Sequence, residues 1–210
     1  MSLNYFQFVK SKWFIAIACL IFGAAIILGI RFATYRVANI HYHANFALYI
    51  NGQQEQFKGM QYYTEVNACV LNHTVKQPTE RVHMHDNINN VIHVEDNSVT
   101  WGQFFTNLGW TMGPTFIVSP DGTVYSENST NKLYLILNGQ NYTDFGGLQN
   151  SVIADKDKLL VNYGNESSSQ LKLQYSAIPS TAKKYDTTKD PASCSGNHGT
   201  TMHDRFVNII

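Results

Sequence analysis

Residues 13–30, WFIAIACLIFGAAIILGI, run without a formal charge between Lys10 and Lys12 on one side and Arg31 and Arg36 on the other. About twenty apolar residues wound as a helix cross the hydrocarbon of a bilayer. A helix buried in a soluble core carries a polar stripe, and this run has none. A cleaved secretory signal has a shorter apolar stretch and a small-residue cleavage site. Gly23-Ala24-Ala25 is a poor version of that site, and the apolar run continues past it. The expectation is a retained single-pass anchor. Two cations on each side leave the positive-inside rule without a direction. The short N-terminal tail and the large polar remainder point to a signal anchor in the cell membrane. That reading gives a cytoplasmic tail 1–12, a span 13–30, a linker 31–40 and a domain on the extracytoplasmic side. Cys19, inside the span, reads as a small lipid-facing hydrophobe.

The remainder is polar but weakly charged. Fifteen basic and fifteen acidic side chains cancel over 210 residues, and charged residues make up 14% of the chain, against about 25% in ordinary soluble domains. Without a basic block there is no footprint for a phosphate backbone, so nucleic acid is not an expected partner. An apolar content of 44% excludes a fully disordered chain.

Hairpin chemistry marks the elements. In residues 46–57 Phe46, Leu48 and Ile50 alternate, Asn51-Gly52 suits a type I′ turn, and Phe57 is expected to end the return strand. The run 133–143 repeats the pattern around Asn138-Gly139, and Pro120-Asp121-Gly122 marks a further turn within 116–125. Residues 158–163, KLLVNY, form a strand entered through Asp155-Lys156-Asp157. One helix is signalled between these strands. Thr100 and Gln103 fit a capping box, Phe104, Phe105 and Leu108 follow at helical spacing, and Gly109 suits the stop. Trp101, Phe104, Phe105 and Trp110 read as core. Strands packed on one short helix make an α+β domain over 41–165, with an insert at 60–95. Residues 166–210 read as a polar linker, with at most a short helix started at Pro179, and a tail.

Histidine is where chemistry concentrates. His41-x-His43 opens the first strand, and His83-x-His85-Asp86 and His93-x-Glu95 follow. On a strand, residues i and i+2 face the same side, so each pair can aim two groups at one point. Imidazole suits Zn or Cu, and a carboxylate can complete the set. The candidate ligands are therefore His41, His43, His83, His85, His93 and Glu95, with Asp86 placed to accept the second ring N–H of a ligand. Cys69 offers a thiolate or, with Cys194, a disulfide that staples the tail to the domain in an oxidising compartment. No HExxH, Walker A, Rossmann glycine motif or GxSxG is present, and nothing in the chain requires an enzyme.

The order of the NG hairpin, TWGQFF at 100–105 and LILNGQ…DKDKLLVNYG at 135–164 is similar to the β-grasp (ubiquitin-like) fold over residues 46–164. The C-terminal Gly-Gly of the sulfur carriers of that fold is absent, since Asn165 follows Gly164, so carrier chemistry is not implied. The anchor, His41-Tyr42-His43, Cys69, His83-Met84-His85-Asp86, His93-Val94-Glu95 and Thr100 to Phe105 together resemble an uncharacterised family. Its members are single-pass anchored proteins of small-genome bacteria and archaea. Relatives have a glycine between HxHD and HVE, where this chain has Asn87-Ile88-Asn89-Asn90. Asn tolerates the positive φ that such a turn uses.

Two functions are therefore expected. The first is a membrane-anchored, extracytoplasmic domain that binds Zn or Cu through its histidines, in metal handling or as a structural site. The alternative is a non-enzymatic module that docks another envelope protein along sheet edges, with structural histidines and a Cys69–Cys194 disulfide.

Overall fold

A computed structural model of the chain describes residues 12–35, 40–63, 77–84, 86–187 and 202–208. They fall into two compact units, one within 1–38 and 197–210 and the other within 39–196.

The first unit is built on helix α1 (Lys12–Thr34), none of whose residues is buried. At 1.5 Å per residue it is about 34 Å long, which matches a bilayer core of about 30 Å. It is long and apolar enough to cross a membrane.

The second unit is an α+β domain, as expected. Strand β1 (Tyr42–Ile50) turns through Asn51 (φ 49°) and Gly52 (φ 79°) into a short β2 (Gln53–Gln54). Two positive φ values in succession are what a type I′ turn needs. The return strand is shorter than expected. Phe57 turns out of the strand at φ 46° and buries its ring against Phe46, 5.4 Å between centroids. Its backbone N–H is held by Glu55 Oε1 at 3.0 Å. Core packing of the ring overrides ladder pairing here.

A one-turn helix α2 (Pro78–Arg81) leads into β3 (Val82–His83), which pairs with β4 (Val91–Val94). Helix α3 (Trp101–Asn107) carries the expected capping box. Gln103 N–H donates to Thr100 Oγ1 at 3.2 Å, and Thr100 N–H donates to Gln103 Oε1 at 3.1 Å. Gly109 follows the helix at φ 78°. Thr100→Ala should therefore cost about 1 kcal/mol in a urea melt of the intact chain. An unchanged midpoint would show that tertiary contacts alone fix this helix start.

Strands β5 (Thr111–Met112), β6 (Phe116–Val118) and β7 (Val124–Ser126) form a small separate sheet. Strands β8 (Lys132–Leu137) and β9 (Gln140–Tyr142) form the second NG hairpin, with Asn138 and Gly139 at φ 53° and 81°. Helix α4 (Phe145–Asn150) precedes β10 (Lys158–Gly164). The main sheet runs β3-β4-β1-β10-β8-β9, with β2 also paired to β1. Its central pair is parallel, Asn45 to Ile50 lying against Lys158 to Tyr163, and the other pairs are antiparallel.

Strand β1 is buried on both faces, as a strand covered on two sides must be. Ala44, Phe46 and Leu48 enter the larger core with Trp101, Phe104, Phe105 and Leu148, and Phe46 meets Phe104 edge to face at 4.8 Å. Trp110 is buried in the same core, so the aromatic residues behave as expected. Ala47 and Tyr49 face the other way, into a smaller cluster with Leu160, Leu171 and Ile178.

That second face corrects the reading of residues 166–187 as linker. They form α5 (Ser168–Ala177), capped by Ser167 and Gln170, and α6 (Ala182–Thr187). Neither helix starts at Pro179. Ile178, the residue before it, is extended at φ −65°, ψ 124° and ends α5, as the ring of a following proline favours. The few apolar anchors, Leu171, Ile178 and Ala182, are buried, but they are too sparse to stand out among the Ser, Gln and Lys around them.

The first unit is completed by helix α7 (Met202–Val207). Phe206 packs on Phe32 at 4.9 Å between ring centroids, and Arg205 Nη1 donates to the carbonyls of Phe32 and Ala33, both at 2.7 Å.

Candidate metal centre

Strand register assembles the site. Antiparallel pairing of β1 with β4 sets His43 opposite His93, and pairing of β3 with β4 sets His83 opposite the same residue. Three imidazoles thus stand in one row across three neighbouring strands. Tyr42 pairs with Val94, so the next positions outward, His41 and Glu95, lie on the same face as His43 and His93. This is the period-2 geometry that HxH and HxE imply. His41 Nε2 is 3.5 Å from Glu95 Oε1.

The nitrogens converge. His43 Nε2 and His93 Nδ1 are 3.0 Å apart. One ligating nitrogen from each of His41, His43 and His93 lies within 4.8 Å of the others. Metal–nitrogen bonds near 2.0–2.1 Å place tetrahedral ligands about 3.3 Å apart. The His43–His93 pair is already close to that separation, and His41 closes the set with a shift of at most roughly 1.5 Å, within reach of side-chain rotation. His43 and His93 are almost fully buried and His41 is the most accessible of the three.

The other expected ligands are placed differently. His83 stacks on His93 at 5.9 Å between centroids with only 10° between ring planes, beyond the tight group of three. Glu95 is buried beside His41. Asp86 is exposed in a turn at φ 55°, followed by Asn87 at the same φ, so asparagine does supply the left-handed conformation read for that loop. His85, Cys69 and Cys194 lie outside the described residues, and with them the proposed disulfide.

A carboxylate that the sequence reading missed supports the row. Asp186 on α6 accepts a hydrogen bond from His43 Nδ1 at 2.7 Å. An ionised carboxylate only accepts, so Nδ1 carries a proton, and in the neutral form of the ring the lone pair of His43 Nε2 faces His93. Ligating histidines are commonly oriented this way by an outer carboxylate. Lys156 Nζ stands 3.2 Å from Asp186 Oδ2. Burial pushes the Asp186 carboxyl upward, but the bonds from His43 and Lys156 and their charges outweigh it and hold the group below the ordinary aspartate range.

The helix that carries Asp186 is fixed over this face by Asn45, two residues along β1 from His43 on the same side. Ala182 N–H donates to Asn45 Oδ1 at 2.9 Å, and Asn45 Nδ2 donates to Thr181 Oγ1 at 3.1 Å. Tyr185 lies against both His43 and His93, at 5.8 and 6.3 Å between centroids. No local signal marks Asp186. It is 143 residues from His43 in sequence, within a stretch whose composition reads as linker.

Three close imidazoles with a carboxylate behind one of them can hold a metal ion, and the donor set suits several transition metals. Compared with protein-family models, curated proteins and solved structures, the chain matches none.

Proposed function

We propose that this chain is a membrane-anchored, extracytoplasmic domain of β-grasp architecture that holds one Zn or Cu ion. His41, His43 and His93 are the ligands, with Glu95 or a histidine of the 83–85 pair as the fourth. The observation that carries this reading is the 3.0 Å approach of two imidazole nitrogens from facing strands, with Asp186 fixing the proton of one ring. Burial of His43 and His93 favours an ion that is retained over one that is passed on. Its role is then to pin β4 and helix α6 against β1. The parallel central pair, the hairpin on each side and helix α3 packed on one face support the β-grasp reading. We place the chain, by its motifs, with the anchored HxH…HxHD…HVE family. The large polar remainder beside the apolar span favours the domain outside the cell.

A second reading has an observation of its own. A separation of 3.0 Å is also an ordinary length for a hydrogen bond between two imidazoles. The histidines are then structural, and the domain is a docking module for another envelope protein. Elemental analysis of the full chain, purified in detergent without a histidine tag, decides between them. About one Zn or Cu per chain is expected under the first reading. A metal-free protein whose melting temperature is unmoved by added Zn or Cu overturns the first and favours the second. Counting thiols under non-reducing denaturation tests the Cys69–Cys194 bridge in the same sample.

A further inference from the structure

The C-terminal carbonyls of a helix have no partners within the helix. At the end of α1 those of Arg31, Phe32 and Ala33 have found partners outside it. Tyr35 N–H donates to Arg31 O at 2.8 Å, and Arg205 takes both Phe32 O and Ala33 O. Thr34 Oγ1 adds a bond to Ile30 O at 2.8 Å. A guanidinium at this end also answers the negative pole of the helix. Arg31 Nε returns a bond to Asn208 O at 3.2 Å, and Phe206 packs on Phe32. Helix α7 is therefore fixed at the level where α1 ends. Its side chains Met202, Phe206 and Val207 nevertheless remain 63–65% exposed.

Resting on the reading of α1 as a membrane span, we propose that α7 is a second membrane contact. It is seated in the boundary between headgroups and acyl chains of the bilayer that α1 crosses. A spanning helix that ends at Thr34 places its last turn at the polar edge of the hydrocarbon, and α7 is held there by the Arg205 bonds and a ring contact. Apolar side chains at that depth bury a few ångströms into the boundary, as in interfacial helices. Arg31 and Arg205 beside them attract anionic headgroups. The occupant of the exposed face is thus the lipid that already surrounds α1.

The test is quenching of tryptophan by brominated lipid. Full-length protein and its Phe206→Trp variant are reconstituted in vesicles of phosphatidylcholine with a minor fraction of phosphatidylglycerol. The bromines are placed either near the headgroup or near the chain ends. Trp101 and Trp110 are buried in the other unit, so quenching in the parent reports Trp13 of α1. The added signal of the introduced indole should fall roughly twofold with shallow bromines and less with deep ones, as a depth of about 5–10 Å requires. A second variant that adds Arg205→Ala should lose most of that quenching, and full retention overturns the role of the cap. Quenching of Trp13 without quenching of the introduced indole overturns the proposal while leaving the span intact. An unquenched Trp13 overturns the span itself, and the proposal with it.

Discussion

His93→Ala is expected to abolish the stabilisation that added metal gives the chain. The wild type, at a free metal concentration about 100 times its dissociation constant, gains about 2.7 kcal/mol by mass action. For a domain of this size that is a rise of about 5–10 °C in Tm. The variant should move by less than about 1 °C under the same conditions. His93 is the middle member of the row, opposite both His43 and His83, so its removal takes away the pair of facing nitrogens at 3.0 Å. Truncating a buried ring also lowers stability without metal. The quantity compared is therefore the metal-induced shift within each protein. A variant that still shifts fully places the ion elsewhere.

Asp186→Asn should weaken metal binding by about 10- to 100-fold, the usual effect of removing a carboxylate that orients a ligating histidine. The amide is nearly isosteric and can still accept from His43 Nδ1, so the loss is mainly one of charge. Competition against a chelator of known affinity gives the number. Equal affinity in the two proteins reduces Asp186 to a surface partner of Lys156. The metal-free chain offers an independent readout. The carboxyl is held below its ordinary range, so its contribution to stability is fully present above the unfolded value, near pH 4 (about 3.9 for a free aspartate). That contribution is lost as pH falls through the lower folded value. The gap in Tm between wild type and Asp186→Asn should be widest near neutrality and close in acid.

Local chemistry made much of this molecule legible in advance. Asn51-Gly52 and Asn138-Gly139 take the positive φ values that their turn requires, and Thr100 with Gln103 starts its helix where the capping pattern puts it. The i, i+2 spacing of His41 with His43 and of His93 with Glu95 dictates a shared face, and the register delivers it. Non-local facts were not legible. Nothing near His93 announces that it lies opposite His43, because that register is set by Ala44 and Ile92 entering the core. Phe57 left its strand for the same core. Asp186 and α6 were hidden because a short helix needs only one or two buried residues, here Ala182 and the contact with Asn45, to dock.

The parallel pairing at the centre of the sheet sets a schedule for a chain emerging from the ribosome. His43 meets His93 across 50 residues of sequence, whereas Asp186 arrives 143 residues after His43. Closing the longer loop costs only roughly 0.9 kcal/mol more, so the delay is one of synthesis and not of energy. A nascent chain can bring its facing imidazoles together well before β10 and α6 exist. If the site takes an ion, such an intermediate would hold it loosely until Asp186 on α6 reaches His43.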